Sequence, residues 1–440
     1  MALGSPRVRV AGSALASRHF MLLYAAMLVA AAGNTALQSV MPAIGREIGL
    51  SDLWVTLSYT WSAVLWVALA PYWARKSDTH GRKALTLLGV GGFIASMLLC
   101  GLVLLAGLRG LMAGGITFAL FALCRSLYGS LGCATPSATQ AYLASRTRRS
   151  ARVTALSSLS SSFGLGTIVG PALAPLFVLP FLGLSGPLFA FAAVGLIVFA
   201  AIAVGLPDDK KPRHGRRAGQ GAAMSYPSLA SSPTGASVIA ATAPKVPLLK
   251  WHDSRIRNWI VAGVMAGHAQ AATPSCIGFF VIDRLALAPR GAEQSIAIVM
   301  MAGAAATLAA QWGLIPKLGL PPRSMILWGA AVAAAGSLIT MMATGLYAIV
   351  LGFGIASLGF GFTRPGFTGG ASLAVPLHQQ GGVAGVVTAA NGIAYVAAPG
   401  IGMALYALDP HFPFAVSAAL LLVLIVWGRS RLAVPTPIAD

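Results

Sequence analysis

The stretch WARKSDTHGRKAL, residues 73–85, places five formal charges and a histidine in thirteen positions of a 440-residue chain that is only 9 % charged. It is flanked by apolar runs at 53–73 and 84–105. A helix rises about 1.5 Å per residue, so about twenty apolar residues match the roughly 30 Å hydrocarbon layer of a bilayer. The stretch therefore reads as a short charged loop between two membrane-crossing helices. The same alternation continues in both directions, from residue 20 to residue 427.

Composition agrees. The chain is 57 % hydrophobic with a mean hydropathy of +0.79, whereas soluble domains are roughly a quarter charged. Ten acids and thirty bases cannot clothe an aqueous surface of this size. The run after Arg7, Arg9 and Arg18 is too long for a signal-peptide core and shows no cleavage site, so it reads as the first span. Cys100, Cys124, Cys133 and Cys276 fall inside apolar runs without metal-ligand spacing and read as small buried hydrophobes. No metal site and no cofactor is expected.

Twelve spans are predicted: 20–41, 53–73, 84–105, 113–144, 153–178 and 181–206, then 256–282, 294–315, 325–343, 346–375, 383–407 and 412–427. The fold class is all-α and polytopic, with two six-helix bundles at 20–206 and 256–428. The remaining segments are an N-terminal tail at 1–19, a linker at 207–255 and a C-terminal tail at 429–440. The linker is basic and then rich in Gly, Ser, Ala and Pro, with at most a short surface helix at 248–251. With the N-terminus in the cytoplasm, only Arg46, Arg109, Arg284 and Arg290 among the bases fall outside. Both termini and the linker are accordingly expected to be cytoplasmic. The net charge of +20 is thus a topology signal, and no nucleic-acid partner is expected.

The halves echo each other. FGLGTIVGPALAP at 163–175 matches NGIAYVAAPGIGM at 391–403, and Thr135-Pro136 matches Arg364-Pro365. A worn parallel repeat of six spans is what a two-bundle transporter shows.

Over nearly its whole length the chain resembles major facilitator superfamily transporters. The loop after span two resembles Gly-x-x-x-Asp-[Arg/Lys]-x-Gly-[Arg/Lys]-[Arg/Lys], with Ala74 and Thr79 departing from it and Asp78, Gly81, Arg82 and Lys83 retained. The resemblance implies a latch between the halves on the cytoplasmic side, with Asp78 facing a helix N-terminus. The bland alternative is a topology marker, which is the commoner role for Arg75 and Lys76. In span four, Arg125 and Gly129 resemble an Arg-x-x-x-Gly stretch. An intramembrane arginine is a functional candidate by default, with backbone-carbonyl bonding as its structural alternative. In span five, Gly166, Gly170 and Pro171 resemble the Gly-x-x-x-Gly-Pro signature of proton-coupled exporters, although Ala174 stands at its final glycine. These residues permit close helix approach and a bend. In motif content the chain is most similar to the drug and metabolite:proton antiporters of the tetracycline-antiporter type.

In that fold, spans one, four, seven and ten face a central cavity. The substrate-binding candidates are Asn34, Gln38, Arg125, His268, Gln270, Arg364, Asn391 and Tyr395, with Trp61, Trp66, Phe118, Phe121, Phe279, Phe360 and Phe362 as possible apolar wall. For any one of these aromatics, packing is the commoner role. No Asp or Glu falls at mid-membrane, where a proton antiporter usually buries a carboxylate. The proton-coupling candidates are therefore Arg125, His268 and Asp283.

HExxH, paired intramembrane aspartates, a nucleophile turn and a Walker loop are all missing from the sequence, so an enzyme or ATP-driven pump is not expected. The sequence points to an alternating-access secondary transporter in a bacterial inner membrane. It is expected to act as a monomer and to exchange protons for a small amphipathic organic molecule, anionic or carboxylate-bearing. An uptake symporter for an organic acid and, more remotely, a non-transporting receptor are the alternatives.

Overall fold

Twelve long helices build the computed structural model, which describes residues 17–146, 149–208, 252–375 and 380–432. The expected surface helix at 248–251 and most of both tails and the linker lie outside these residues. The first bundle comprises α1 (Ser17–Glu47), α2 (Asp52–His80), α3 (Arg82–Leu108), α4, α5 (Arg149–Leu173, extended by a 3-10 turn at Ala174–Phe177) and α6 (Gly186–Gly205). Helix α4 runs Gly114–Leu127, passes through a π turn at Tyr128–Gly132 and resumes at Ala134–Arg146. The second bundle comprises α7 (Arg257–Arg284), α8 (Ala292–Leu308, then a π turn to Leu314 and Ile315–Leu318), α9 (Pro322–Met342), α10 (Leu346–Leu373), α11 (Gln380–Leu408) and α12 (Phe412–Arg431). An even number of crossings puts the start of α1 and the end of α12 on one face. We call it the tail face and its opposite the distal face.

Ten of these helices are long and apolar enough to cross a membrane by length and composition alone. The other two are α5 and α7. In α5 the described apolar stretch is the shorter Ser161–Phe177, whereas α7 carries His268, Gln270, Thr273 and Ser275. Ser162, Gln270 and Thr273 are buried in protein, where a polar group finds partners that lipid does not offer. In α7 hydropathy is diluted by residues that face other helices.

Neighbour relations repeat with an offset of six. Helix α1 packs on α5 and α6, as α7 does on α11 and α12; α3 packs on α4 and α6, as α9 does on α10 and α12. The halves meet along α2 with α11, α5 with α8, and α1 with α7 and α8.

Glycine sets the closest of these contacts. A Cβ at Gly166 would lie 2.5 Å from the Leu28 carbonyl oxygen, and one at Gly170 would lie 2.2 Å from that of Ala32. Helix α5 is therefore seated directly on the backbone of α1. Pro171 falls in the last turn of α5, just before the 3-10 turn.

The π turn in α4 frees a carbonyl. Trp73 Nε1 on α2 donates to Ser130 O at 2.6 Å, Trp61 Nε1 donates to Ser126 Oγ at 2.8 Å, and Trp66 packs on the Tyr128 ring at 5.4 Å. Three tryptophans of α2 thus clamp α4 around the turn that follows Arg125, the kind of local irregularity that π bulges place at functional sites.

Candidate functional site

At the distal face the two bundles are tied by charge. Arg46, in the last turn of α1, forms a bidentate pair with Asp283 of α7 and a second with Asp52, at 2.6 and 3.1 Å. Tyr406 of α11 donates its hydroxyl to Asp283 at 2.5 Å. Arg290, before α8, pairs with Glu47 at 2.9 Å. The Arg46 guanidinium also lies 5.6 Å from the Phe279 ring centroid. One turn deeper, a Cβ at Gly278 would lie 2.6 Å from Pro42 Cγ, so α1 and α7 close almost to contact. Each partly exposed pair contributes about 1 kcal/mol or less, more where bidentate and networked. This distal lock is not visible in the sequence: Asp283 stands there as a proton-coupling candidate, but nothing ties it to Arg46, 237 positions away.

Directly beneath the lock is a chamber of about 80 Å³ between the bundles. Gln38 and Pro42 of α1, Thr56 and Tyr59 of α2, Ser275 and Phe279 of α7, Met300 of α8 and Tyr395 of α11 help to line it. Among the described residues no charged side chain does. Gln38 and Tyr395 are the predicted binding residues that it includes; Thr56 and Tyr59 are additions. Their spacing with Ala63 at i, i+3 and i+7 marks one face of α2, but that face carries no charge to single it out.

Arg125 is fully buried (0 % exposed) and does not line the chamber. Its Nη2 donates to Asn34 Oδ1, and its guanidinium carbon lies 4.7 Å from the Tyr128 ring centroid and 5.4 Å from that of Tyr59. Each cation–π contact contributes about 0.5–2 kcal/mol when desolvated. Tyr59 therefore stands between Arg125 and the chamber, which feels the positive charge through a ring rather than by contact.

The remaining candidates divide by helix face. His268 is partly buried, and its Nδ1 lies 2.8 Å from the Val264 carbonyl. A carbonyl only accepts, so Nδ1 is the donor of this bond. At about 100° per residue His268 falls on the stripe of Ala271 and Ser275, about one turn toward the tail face, whereas Gln270 is buried on the flank. Arg364 is 3 % exposed on α10, within electrostatic reach of Tyr395. Asn391 Nδ2 donates to Val387 O at 3.0 Å along its own helix. Of the seven candidate wall aromatics, Phe279 lines the chamber; Trp66, Phe121, Phe360 and Phe362 are buried elsewhere, Phe118 packs on Trp54, and Trp61 is exposed beside Ser126.

At the tail face, Gly81 has φ of 91°, a left-handed conformation that separates α2 from α3 with no connecting loop beyond this residue. Lys83 pairs with Asp208 of the same half at 3.1 Å. The Asp78 side chain lies outside the described residues, so its expected contact with the other half is not seen here.

A pair of six-helix bundles, packed on one another around a chamber that a charge cluster closes at the distal end, is the architecture of a secondary transporter. The chain belongs to the Major Facilitator Superfamily: that family's model matches residues 23–319. It is 23 % identical over 418 residues to "Multidrug resistance protein 2" of Bacillus subtilis (strain 168), covering 94 % of this chain and 96 % of that one. Among solved structures, a mutant of the nucleoside transporter NupG superposes with a TM-score of 0.69 at 10 % identity, covering 94 % of this chain and all of that one. A bacterial homologue of the iron transporter ferroportin, in an inward-facing state, gives 0.65 at 16 % (94 % and 99 %). The human organic anion transporter MFSD10 (TETRAN) gives 0.62 at 17 % (93 % and 99 %). The molecule is an integral membrane transporter.

Proposed function

We propose that this transporter exports a small amphipathic organic molecule, anionic or carboxylate-bearing, in exchange for protons. We place it in a bacterial inner membrane with both termini cytoplasmic, working as a monomer, so that the distal face is external. The observation that carries the substrate class is the charge layout. Arg125 and Arg364 are buried within α4 and α10, while Glu47, Asp52, Asp283 and Glu293 all lie at distal helix ends. A guanidinium in low dielectric favours an anion and repels a permanent cation. Export is favoured by similarity to a multidrug resistance protein and by the Gly166, Gly170 and Pro171 seat of α5 on α1.

Asp283 is the preferred proton acceptor. It is the carboxylate that joins α1, α7 and α11, so neutralising it loosens the distal lock at the moment a proton is taken up. His268 is the second relay on the cavity stripe, and Arg125 keeps the field positive. Asp78, Gly81, Arg82 and Lys83 form the opposing latch, engaged when the distal face opens.

The test is flux in proteoliposomes under an imposed pH gradient, with radiolabelled benzoate and ethidium as the paired probes. Proton-driven benzoate movement that fails in Asp283→Asn is expected. Efficient ethidium transport, or benzoate flux indifferent to the gradient, would overturn the assignment.

A further inference from the structure

The walls of the chamber hold chemistry that the charge argument leaves unused. Tyr59, Phe279 and Tyr395 present rings, and Gln38, Thr56 and Ser275 present neutral polar groups. About 80 Å³ is room for several waters or one ring-sized group. The hydroxyls around it behave differently from one another. Ser275 Oγ, in the lining, turns back to Ala272 O at 2.6 Å, as Ser58 and Thr273 outside the lining do to Val55 O and Ala269 O at 2.6 and 2.8 Å, the usual way for a helical Ser or Thr to satisfy itself. Thr56 is 3 % exposed and its Oγ1 has no hydrogen-bond partner among the described residues. An unmet buried hydroxyl costs about 1–3 kcal/mol, so a group that satisfies it on arrival gains affinity. The setting is enclosed, aromatic and uncharged, and Thr56 contributes to its lining.

We propose that this chamber is a subsite for an uncharged six-membered ring bearing one hydroxyl, with Thr56 Oγ1 as the hydroxyl's partner. The inference rests on the transported molecule being amphipathic, and it assigns the ring end to the distal chamber and leaves the charged end toward the tail face. It commits to a phenol-like group at this end, a finer statement than an organic anion.

The test uses full-length protein and four probes: benzamide and 4-hydroxybenzamide, which are neutral, and benzoate and 4-hydroxybenzoate, which are anions. Dissociation constants are measured by calorimetry for wild type, Thr56→Val and Thr56→Ser. The added hydroxyl is expected to tighten binding about fivefold in wild type, in both pairs, as one neutral hydrogen bond does. In Thr56→Val the ratio should fall to about one, and in Thr56→Ser it should return. A ratio near one in wild type, a ratio that survives Thr56→Val, or no binding by any probe would each overturn the subsite. The charged and neutral pairs report separately on the anion assignment. If the hydroxyl ratio holds but benzamide binds as well as benzoate, the anion reading fails and the subsite stands.

Discussion

The seat of α5 on α1 in the first bundle and that of α11 on α7 in the second are the same joint built twice, with different tolerances. In the first, the glycines belong to α5, and a Cβ at Gly166 or Gly170 would meet main-chain oxygens of α1 at 2.5 and 2.2 Å. In the second, the equivalent positions are Ala394 and Ala398, and the glycine has crossed to the partner helix as Gly267, whose Cβ would meet only the Ala394 methyl at 3.0 Å. A Cβ at Gly402 would meet the Ala272 methyl at 3.0 Å and its main chain no closer than 3.2 Å. Backbone against backbone cannot give, whereas methyl against methyl yields by tenths of an ångström. The first joint is a weld and the second a bearing. Because α7 and α11 also carry Asp283 and Tyr406, the more compliant joint is the one attached to the distal lock.

The largest effect that distinguishes the joints is a single methyl. Gly170→Ala should cost about 2 kcal/mol net, overpacking outweighing the roughly 1 kcal/mol gain in helix propensity. Gly267→Ala should change stability by less than about 1 kcal/mol, because the new methyl would meet only the Ala394 methyl, at 3.0 Å. Thermal unfolding in detergent, read by intrinsic fluorescence, compares the two. Equal losses would remove the distinction between weld and bearing.

The next effect is conformational. If the bearing lets α7 move, the distal lock is what holds it, and Asp283→Asn should raise the open fraction of that face about five- to tenfold, the equivalent of about 1–1.4 kcal/mol. A cysteine at Thr56, beneath the lock, reports this through its rate of reaction with an impermeant thiol reagent, in a background lacking Cys100, Cys124, Cys133 and Cys276. An unchanged rate would mean that Gly278 packed on Pro42 closes the face without help from charge.

The helices were legible in the sequence because bilayer thickness imposes its own ruler on apolar runs, and the broken family motifs fixed their order. Even α7, too polar to qualify on hydropathy, was placed by its neighbours. The site was less legible. Periodicity says which face a residue shares, not which face meets another helix, so Asn34 and Arg125 were both singled out without their hydrogen bond being foreseen. Tyr59 and Thr56 carried no signal at all, since an uncharged face of α2 reads as lipid-facing or packed until α11 is laid against it. The π turn after Arg125 was equally hidden: Tyr-Gly-Ser-Leu-Gly reads as ordinary helix, and only the donation from Trp73 across from α2 shows why the carbonyl of Ser130 is turned out.

The smallest expected effect is also the most specific to the comparison. In the second joint, the contact between position 267 and position 394 is one missing methyl facing one present methyl, so exchanging them should leave the joint almost as it was. Gly267→Ala alone crowds Ala394; Ala394→Gly alone removes a buried methyl worth about 0.8 kcal/mol and lowers helix propensity by about 1 kcal/mol. Together, the double variant should lie within about 0.5 kcal/mol of wild type, the propensity terms offsetting one another and the crowding relieved. The corresponding exchange in the first joint is Gly166→Ala with Ala31→Gly. It relieves the 2.7 Å contact with the Ala31 methyl but not the 2.5 Å approach to the Leu28 carbonyl oxygen, which no side-chain change removes. Rescue is therefore expected at 267/394 and not at 166/31, and unfolding of the four single and two double variants gives both coupling energies. Rescue in both bundles would mean that α1 and α5 can slide as freely as α7 and α11, and the two halves would then be equivalent in compliance as well as in topology.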